Sequence, residues 1–91
     1  MHDKKKLILY TRDYCGYCSR VKQVIDQLNV FIEERNIWEN PAWEGELFAA
    51  RNQSTVPVLR TIDVDGISEW IPESREIIHY LTAQYSDYLR Q

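Results

Sequence analysis

The sequence has few of the residues that mark fibrous, low-complexity or disulfide-stapled chains. Its 91 residues include three glycines, three prolines and two cysteines. So little glycine and proline excludes collagen-like and disordered chains, and a secreted domain of this size usually carries about four or more cysteines. Because 44% of the residues are hydrophobic and 27% charged, we expect one small globular domain over residues 1–91.

The sequence also lacks an excess of basic residues and a long apolar run. Its net charge is −3, so we expect no nucleic-acid partner. The basic run Lys4–Lys6 indicates a solvated lead-in to the first strand. No apolar stretch approaches the ~20 residues that cross a bilayer, and no signal-peptide core follows Met1–Lys4. We therefore expect a cytoplasmic protein with no membrane partner.

The two cysteines, Cys15 and Cys18, are separated by only two residues. A disulfide that closes so small a ring removes little entropy from the unfolded chain, so chemistry or metal binding is a better reason for the pair. His2 and His79 do not have the spacing of paired zinc ligands, and no second Cys-x-x-Cys occurs, so we expect no metal. The polar and aromatic residues around the pair indicate a surface turn rather than inert core cysteines.

Alternating strands and helices are predicted from the hydrophobic pattern. An apolar run is typical of a strand covered on both faces, and apolar residues at i, i+3, i+4 and i+7 predict the helix that follows. In chain order the predicted elements are strand Lys6–Tyr10, helix Gly16–Leu28, strand Val30–Glu34, helix Pro41–Arg51, strands Val56–Leu59 and Ile67–Trp70, and a last helix that opens at Ser74.

These elements predict an α/β fold in the order β-α-β-α-β-β-α, with a four-stranded mixed sheet packed by helices. The first strand, helix and strand form a βαβ unit with parallel strands. Asp65-Gly66 is the turn signal of an antiparallel hairpin, and Ser74 is a candidate N-cap of the last helix. A Cys-x-x-Cys at the end of the first strand of a βαβ unit is the context of a thioredoxin-like redox motif.

Cys15 is predicted at the start of the first helix, with Cys18 one turn further along the same side. Free backbone amides and the helix dipole both favour a thiolate there, so we expect the pKa of Cys15 to lie below the ordinary value of about 8.5. Arg12, three residues earlier, adds a positive charge. Cys18, deeper in the helix, would attack a mixed disulfide formed on Cys15.

A second landmark is Thr55-Val56-Pro57, where a proline opens a strand that follows a helix. This bond is a candidate for the cis form, which would turn the neighbouring backbone toward an extended peptide ligand. The dipeptide is weak evidence alone and stronger beside an upstream dithiol.

Taken together, Tyr10–Cys18, Thr55–Pro57 and Glu73-Ser74 resemble the motifs of a glutaredoxin. The segments Val56–Leu59 and Glu73–Leu81 are also similar to the N-terminal, glutathione-binding domain of glutathione transferases. The resemblance implies a thioredoxin-like, glutaredoxin-type fold. It further implies a glutathione-dependent thiol–disulfide oxidoreductase that reduces protein disulfides or glutathione mixed disulfides.

The resemblance also implies the roles of individual residues. Cys15 would be the nucleophile and Cys18 the resolving thiol, with glutathione as co-substrate and no tightly bound cofactor. The residues implied to bind glutathione are Arg12, Tyr17, Gln53, Val56, Pro57, Glu73 and Ser74.

Each part of glutathione has an implied contact. Arg12, or more loosely Gln53, would hold the glycine carboxylate. Val56 would pair its backbone with the cysteinyl part, and Tyr17 would line the groove. Ser74, at the start of the last helix, would hold the γ-glutamyl carboxylate, where helix physics also places an anion.

Two positions depart from the glutaredoxin pattern. Gly16 stands where proline is more usual, which leaves the first turn of the helix looser. Trp70-Ile71-Pro72 stands where a Gly-Gly pair is common, and the bulk of Trp70 would narrow or reshape the glutathione groove.

Two alternative functions remain open. A small redoxin reduced by thioredoxin reductase would need no glutathione groove. A dimer that holds a [2Fe–2S] cluster through Cys15 and glutathione thiolates is compatible with Gly16. Our leading expectation is a monomer whose partners are glutathione and disulfide-containing or glutathionylated proteins.

The remaining aromatic and acidic residues are given structural interpretations. Tyr80, Tyr85 and Tyr88 are interpreted as packing or ordinary surface residues rather than a binding platform. The acidic stretch over residues 33–46 is interpreted as a solvated face.

Overall fold

A computed structural model describes residues 5–86. Its elements, in chain order, are β1 (Lys6–Thr11), α1 (Gly16–Leu28), β2 (Glu33–Asn36), α2 (Pro41–Arg51), β3 (Val58–Ile62), β4 (Ser68–Pro72) and α3 (Ser74–Tyr85). This is the predicted order. The predictions that concern Met1–Lys4 and Tyr88 lie outside the described residues.

The strands form one mixed sheet in the order β2-β1-β3-β4. β1 pairs in parallel with β2 and antiparallel with β3, and β3 pairs antiparallel with β4. Residues 7–11 of β1 are all buried, which confirms a central strand covered on both faces. The predicted four-stranded mixed sheet is therefore confirmed.

Successive side chains of β1 point to opposite faces of the sheet and so belong to two cores. Leu7 and Leu9 pack with α1 and α3 in an apolar cluster, and Tyr80 and Tyr85 pack in or against it. Ile8 and Tyr10 pack with Leu47 of α2 on the other face. The helices α1 and α3 therefore cover one face of the sheet and α2 covers the other.

Local signals define the two ends of α1 and the start of α2. α1 spans the predicted residues and ends at Asn29, which takes the left-handed conformation (φ 57°) that asparagine tolerates. α2 begins after Asn40, whose side chain accepts a hydrogen bond from the amide of Ala42. Pro41 occupies the first helical position, where a missing N–H is harmless.

Three predicted strands are shifted along the chain. β2 begins at Glu33 rather than Val30, because Val30 and Ile32 pack against the apolar core while the paired part is a polar edge strand. β3 begins at Val58 rather than Val56, since Pro57 has no N–H for the ladder. β4 spans residues 68–72 rather than 67–70 and so extends as far as Pro72.

The start of α3 also differs from the prediction. Ser74 is the first helical residue and Glu73 occupies the N-cap position, so the prediction that Ser74 is the N-cap is wrong. Glu73 has a φ of 70°, a left-handed value that is unfavourable for a residue with a side chain, and its side chain makes no capping hydrogen bond. The last helix therefore begins on a strained residue.

The acidic stretch is only partly a solvated face. Arg35 forms ion pairs with Glu33 and Glu46, each at 2.6 Å. The hydrogen bond from Arg35 lowers the pKa of Glu33. The hydroxyl of the buried Tyr10 donates to Glu46 at 2.9 Å, and burial raises the pKa of Tyr10. These contacts attach α2 to β1 and β2 through polar groups as well as apolar packing.

Among residues 5–86, no helix combines enough length with enough apolar character to span a membrane.

Candidate active site

The sulfur of Cys15 forms the N-terminal cap of α1. Cys15 has an extended backbone (φ −113°, ψ 103°), and its Sγ accepts a hydrogen bond from the amide of Cys18 at 3.1 Å. An oxygen of serine or aspartate usually takes this place. The first turn of α1 holds no acidic side chain. A thiolate at Cys15 would therefore receive an amide hydrogen bond and the positive end of the helix dipole.

The second cysteine is less accessible than the first. The two sulfurs are joined in a disulfide, with Cα atoms 5.2 Å apart. Cys15 is 8% exposed and Cys18 is 2% exposed. Both cysteines are therefore buried, and Cys15 is the more exposed of the two. Among residues 5–86, no three His, Cys, Asp or Glu side chains are grouped as a metal ion would require.

The loop before Cys15 is braced by side chains from both of its sides. The Nη1 atom of Arg12 donates to the carbonyl oxygens of Asp13 (2.8 Å) and Tyr14 (3.3 Å). The guanidinium of Arg12 also lies over the ring of Trp38, 5.4 Å from its centroid. Asn36 donates to Asp13 at 2.8 Å. These contacts support Tyr14, which has a left-handed φ of 57° immediately before the dithiol.

Most of the predicted glutathione-binding residues line one groove. Its volume is about 410 Å³, within the range of small-molecule sites. The starts of α1 and α3 and the segments before β3 and after β4 form its walls. The predicted residues that line it are Tyr17, Gln53, Val56, Pro57, Glu73 and Ser74. The bond between Val56 and Pro57 is cis, as the sequence suggested.

Arg12 does not line this groove. It lies in a second hollow of about 540 Å³, together with Cys15 and Cys18. Tyr17 lines the groove while Gly16 lines the hollow, so the two concavities lie on either side of the first turn of α1. The structure thus divides the predicted binding residues between two sites.

Two charged residues of the groove were not among the predicted binding residues. Arg51, in the last turn of α2, and Arg75, in the first turn of α3, line the groove with Glu73. Arg75 could have been noticed from the sequence, because a cation near a helix N-terminus is unfavourable for the helix dipole and its presence there suggests a role other than helix stability. Arg51 carried no such signal, since a cation favours a helix C-terminus and its place depends on how α2 packs.

The expectation that Trp70 narrows the groove is wrong. Its ring stacks on Tyr10, with centroids 5.5 Å apart, and lies under the guanidinium of Arg60. Trp70 therefore belongs to the core beside α2, and Pro72 lines the groove instead. Gly16 is in open space, because a Cβ added there would meet no atom within 4 Å.

The fold and the dithiol at the start of α1 define a thioredoxin-like protein. The family model named Glutaredoxin matches residues 7–67, more than half of the sequence. The chain therefore belongs to the glutaredoxin family. A search of curated protein sequences finds no match.

Solved structures share the fold. A buckwheat glutaredoxin in complex with glutathione is 24% identical, with a TM-score of 0.65 over 97% of this chain and 79% of its own. Glutathione transferase Omega 2S from Trametes versicolor is 16% identical, with a TM-score of 0.75 over 93% of this chain and 38% of its own.

Maleylacetoacetate isomerase from Anaeromyxobacter dehalogenans, with glutathione in its active site, is 21% identical with a TM-score of 0.70 over 93% of this chain. The chain spans 40% of that isomerase. At these identities the likeness shows the fold alone.

Proposed function

We propose that this chain is a glutathione-dependent thiol–disulfide oxidoreductase that reduces protein disulfides or glutathione mixed disulfides through Cys15 and Cys18. The observation that carries the proposal is the sulfur of Cys15 at the N-cap of α1, where it accepts an amide hydrogen bond. Membership of the glutaredoxin family supports the same chemistry.

The charges of the groove match those of glutathione. The tripeptide carries two carboxylates and one ammonium group, and the groove presents the cations Arg51 and Arg75 and the anion Glu73. The first amides of α3 have no side-chain cap, so they suit the γ-glutamyl carboxylate beside Ser74. The buckwheat glutaredoxin was crystallised with glutathione, which also supports this ligand.

Reduction of a glutathione mixed disulfide would need Cys15 alone. Its thiolate attacks the glutathione sulfur, a Cys15–glutathione disulfide forms, and the released thiolate takes up a proton. The thiolate of a second glutathione then attacks the glutathione sulfur of this disulfide. Oxidised glutathione leaves and the Cys15 thiolate is restored.

Reduction of a protein disulfide would need both cysteines. Cys15 attacks one sulfur of the disulfide, and the other sulfur leaves as a thiolate. Cys18 then loses its proton and attacks Cys15, which releases the second protein thiol. The product is the Cys15–Cys18 disulfide that the structure contains.

The test is a coupled assay in which glutathione, glutathione reductase and NADPH reduce the glutathione mixed disulfide of 2-mercaptoethanol. We expect NADPH consumption that depends on this protein. If the oxidised protein is instead reduced only by NADPH and thioredoxin reductase, the glutathione role is wrong. A brown protein after anaerobic purification with glutathione, inactive in the assay, would favour the cluster-binding alternative.

A single variant tests whether the groove binds glutathione. Arg75→Gln removes one cation, and a hydrogen bond to a charged group contributes about 1.5–3 kcal/mol. We therefore expect the KM for glutathione to rise about tenfold or more. Arg20→Gln removes the same charge from an exposed residue of α1 that does not line the groove, so the KM should not change. Equal KM values for the two variants would contradict the assignment.

A further inference from the structure

One stripe of α1 faces the second hollow. Cys15, Cys18, Ser19 and Lys22 all line it. Residues three and four apart are neighbours on a helix surface. Lys22, four residues after Cys18, therefore starts about 5–6 Å from it, measured between Cβ atoms.

Lys22 is held in place by the end of the sheet. Its Nζ donates to Oε2 of Glu34 at 3.1 Å. The same oxygen accepts a hydrogen bond of 2.8 Å from the hydroxyl of Thr11, which is buried at the end of β1. The carboxylate thus accepts from a buried hydroxyl and pairs with the ammonium group. Lys22 is a partly exposed lysine with a defined carboxylate partner, since its side chain is 45% exposed and that of Glu34 is 40% exposed.

Three other charged residues line the hollow. Arg12 and Asp13 belong to the loop before Cys15, and Glu34 of β2 is the partner of Lys22. Arg12 donates to backbone carbonyls and lies over Trp38, and Asp13 accepts from Asn36. Lys22 is the cation that α1 itself brings to the side of Cys18.

We propose that Lys22, anchored by Glu34, stabilises the thiolate of Cys18 and thereby speeds the resolving step. In that step the Cys18 thiol gives up its proton, and its sulfur attacks Cys15 in the mixed disulfide. The Cys15–Cys18 bond forms as the bond from Cys15 to the substrate sulfur breaks. The leaving thiolate takes up a proton. Lys22 is a positioning residue, and its kinetic role rests on the proposed function.

The effect on ionisation is measured without any substrate. In a Cys15→Ser chain, Cys18 is the remaining thiol of the two in the sequence, and serine preserves the helix cap. Thiolate absorbance against pH gives its pKa. Adding Lys22→Met should raise this pKa by about half a unit, since the charges interact near the surface. Lys22→Arg should restore it, and ~1 M salt should shrink the difference.

A matched control uses the same helix. Arg20 lies two residues after Cys18, is exposed and does not line the hollow, so Arg20→Met should not move the pKa. An unchanged pKa in Lys22→Met, or an equal shift in Arg20→Met, would overturn the proposal. So would a larger effect on Cys15, measured in a Cys18→Ser chain.

Kinetics of the unmutated dithiol give an independent readout. When the mixed disulfide with glutathione is formed first, Lys22→Met should slow release of glutathione at neutral pH about twofold. Half a unit of pKa lowers the thiolate fraction about threefold, and the higher nucleophilicity of a more basic thiolate offsets part of that loss. The attack by Cys15 should keep its rate. Loss of both rates together would contradict the assignment to Cys18. If the protein proves inactive with glutathione but the pKa shift is present, the proposed function fails and the effect of Lys22 on the ionisation of Cys18 stands.

Discussion

The three helices of this protein begin in different ways. α2 begins with a side-chain cap, since Asn40 accepts from the amide of Ala42 at 2.9 Å. α1 begins at the sulfur of Cys15, and α3 begins at the strained, uncapped Glu73. The starts of α1 and α3 adjoin the dithiol and the groove, whereas the start of α2 lies away from both. In the proposed function, these two helix starts offer their amides to the sulfur of Cys15 and to the γ-glutamyl carboxylate of glutathione.

The largest effect is expected at the start of α1. Cys15→Ser keeps an acceptor at the N-cap, so the fold should survive, but it removes the nucleophile. We expect all thiol–disulfide exchange to be lost in the coupled assay. Cys18→Ser should keep reduction of glutathione mixed disulfides and lose reduction of protein disulfides. Equal losses in the two variants would contradict the assigned roles.

The second largest effect is a loss of stability, expected when the start of α2 is changed. Asn40→Ala removes a capping oxygen, which usually destabilises a protein by about 1 kcal/mol. In a domain of this size that corresponds to a fall in Tm of roughly 4–8 °C. Because α2 caps itself away from the dithiol, the KM for glutathione should not change. A change in KM at unchanged Tm would show that this start also serves the site.

Much of this architecture could be predicted where local chemistry decides the structure. The bounds of α1 follow from its apolar spacing and from Asn29. Pro41 marks the start of α2 for a similar reason. The hairpin turn at Gly66 requires the positive φ of 83° that glycine tolerates. In each case the controlling residues lie within a few positions of the feature.

Three of the errors have a common physical cause, which is packing between distant segments. β2 is defined by its pairing with β1, so its polar residues form the strand while the apolar ones before it do not. The place of Trp70 was set by Tyr10, sixty positions away in the sequence, across the sheet. Arg51 lines the groove from the end of α2, and Leu47 of the same helix packs with Val58 of β3. None of these contacts leaves a local pattern.

A change in stability of similar size but opposite sign is expected at the start of α3. Glu73→Gly should relieve the left-handed φ of 70°, which strains a residue with a side chain by about 1–3 kcal/mol. The greater chain entropy of glycine offsets roughly 0.5–1 kcal/mol of this relief. We therefore expect the free energy of unfolding, measured by heat or urea, to rise by about 1 kcal/mol.

The charge of Glu73 can be separated from its backbone. Glu73→Gln keeps the strain and removes the anion, so it should weaken glutathione binding without raising the Tm. Glu73→Gly should weaken glutathione binding and also raise the Tm. If Glu73→Gly leaves the Tm unchanged, strain is not what distinguishes this helix start from that of α2.

The smallest effect is expected from Gly16→Pro, which would make the start of α1 more like that of α2. Gly16 is the first helical residue, a position that tolerates proline. Cys15 before it has the extended backbone that a residue before proline requires. A Cβ added at Gly16 would meet no neighbour. Proline should therefore raise the free energy of unfolding by about 0.5 kcal/mol through the unfolded state. The rate of exchange should not change, because the amide that donates to Cys15 belongs to Cys18. A slower exchange rate in a more stable protein would mean that the backbone flexibility of Gly16 contributes to exchange. The start of α1 would then differ from that of α2 in flexibility as well as in the type of cap.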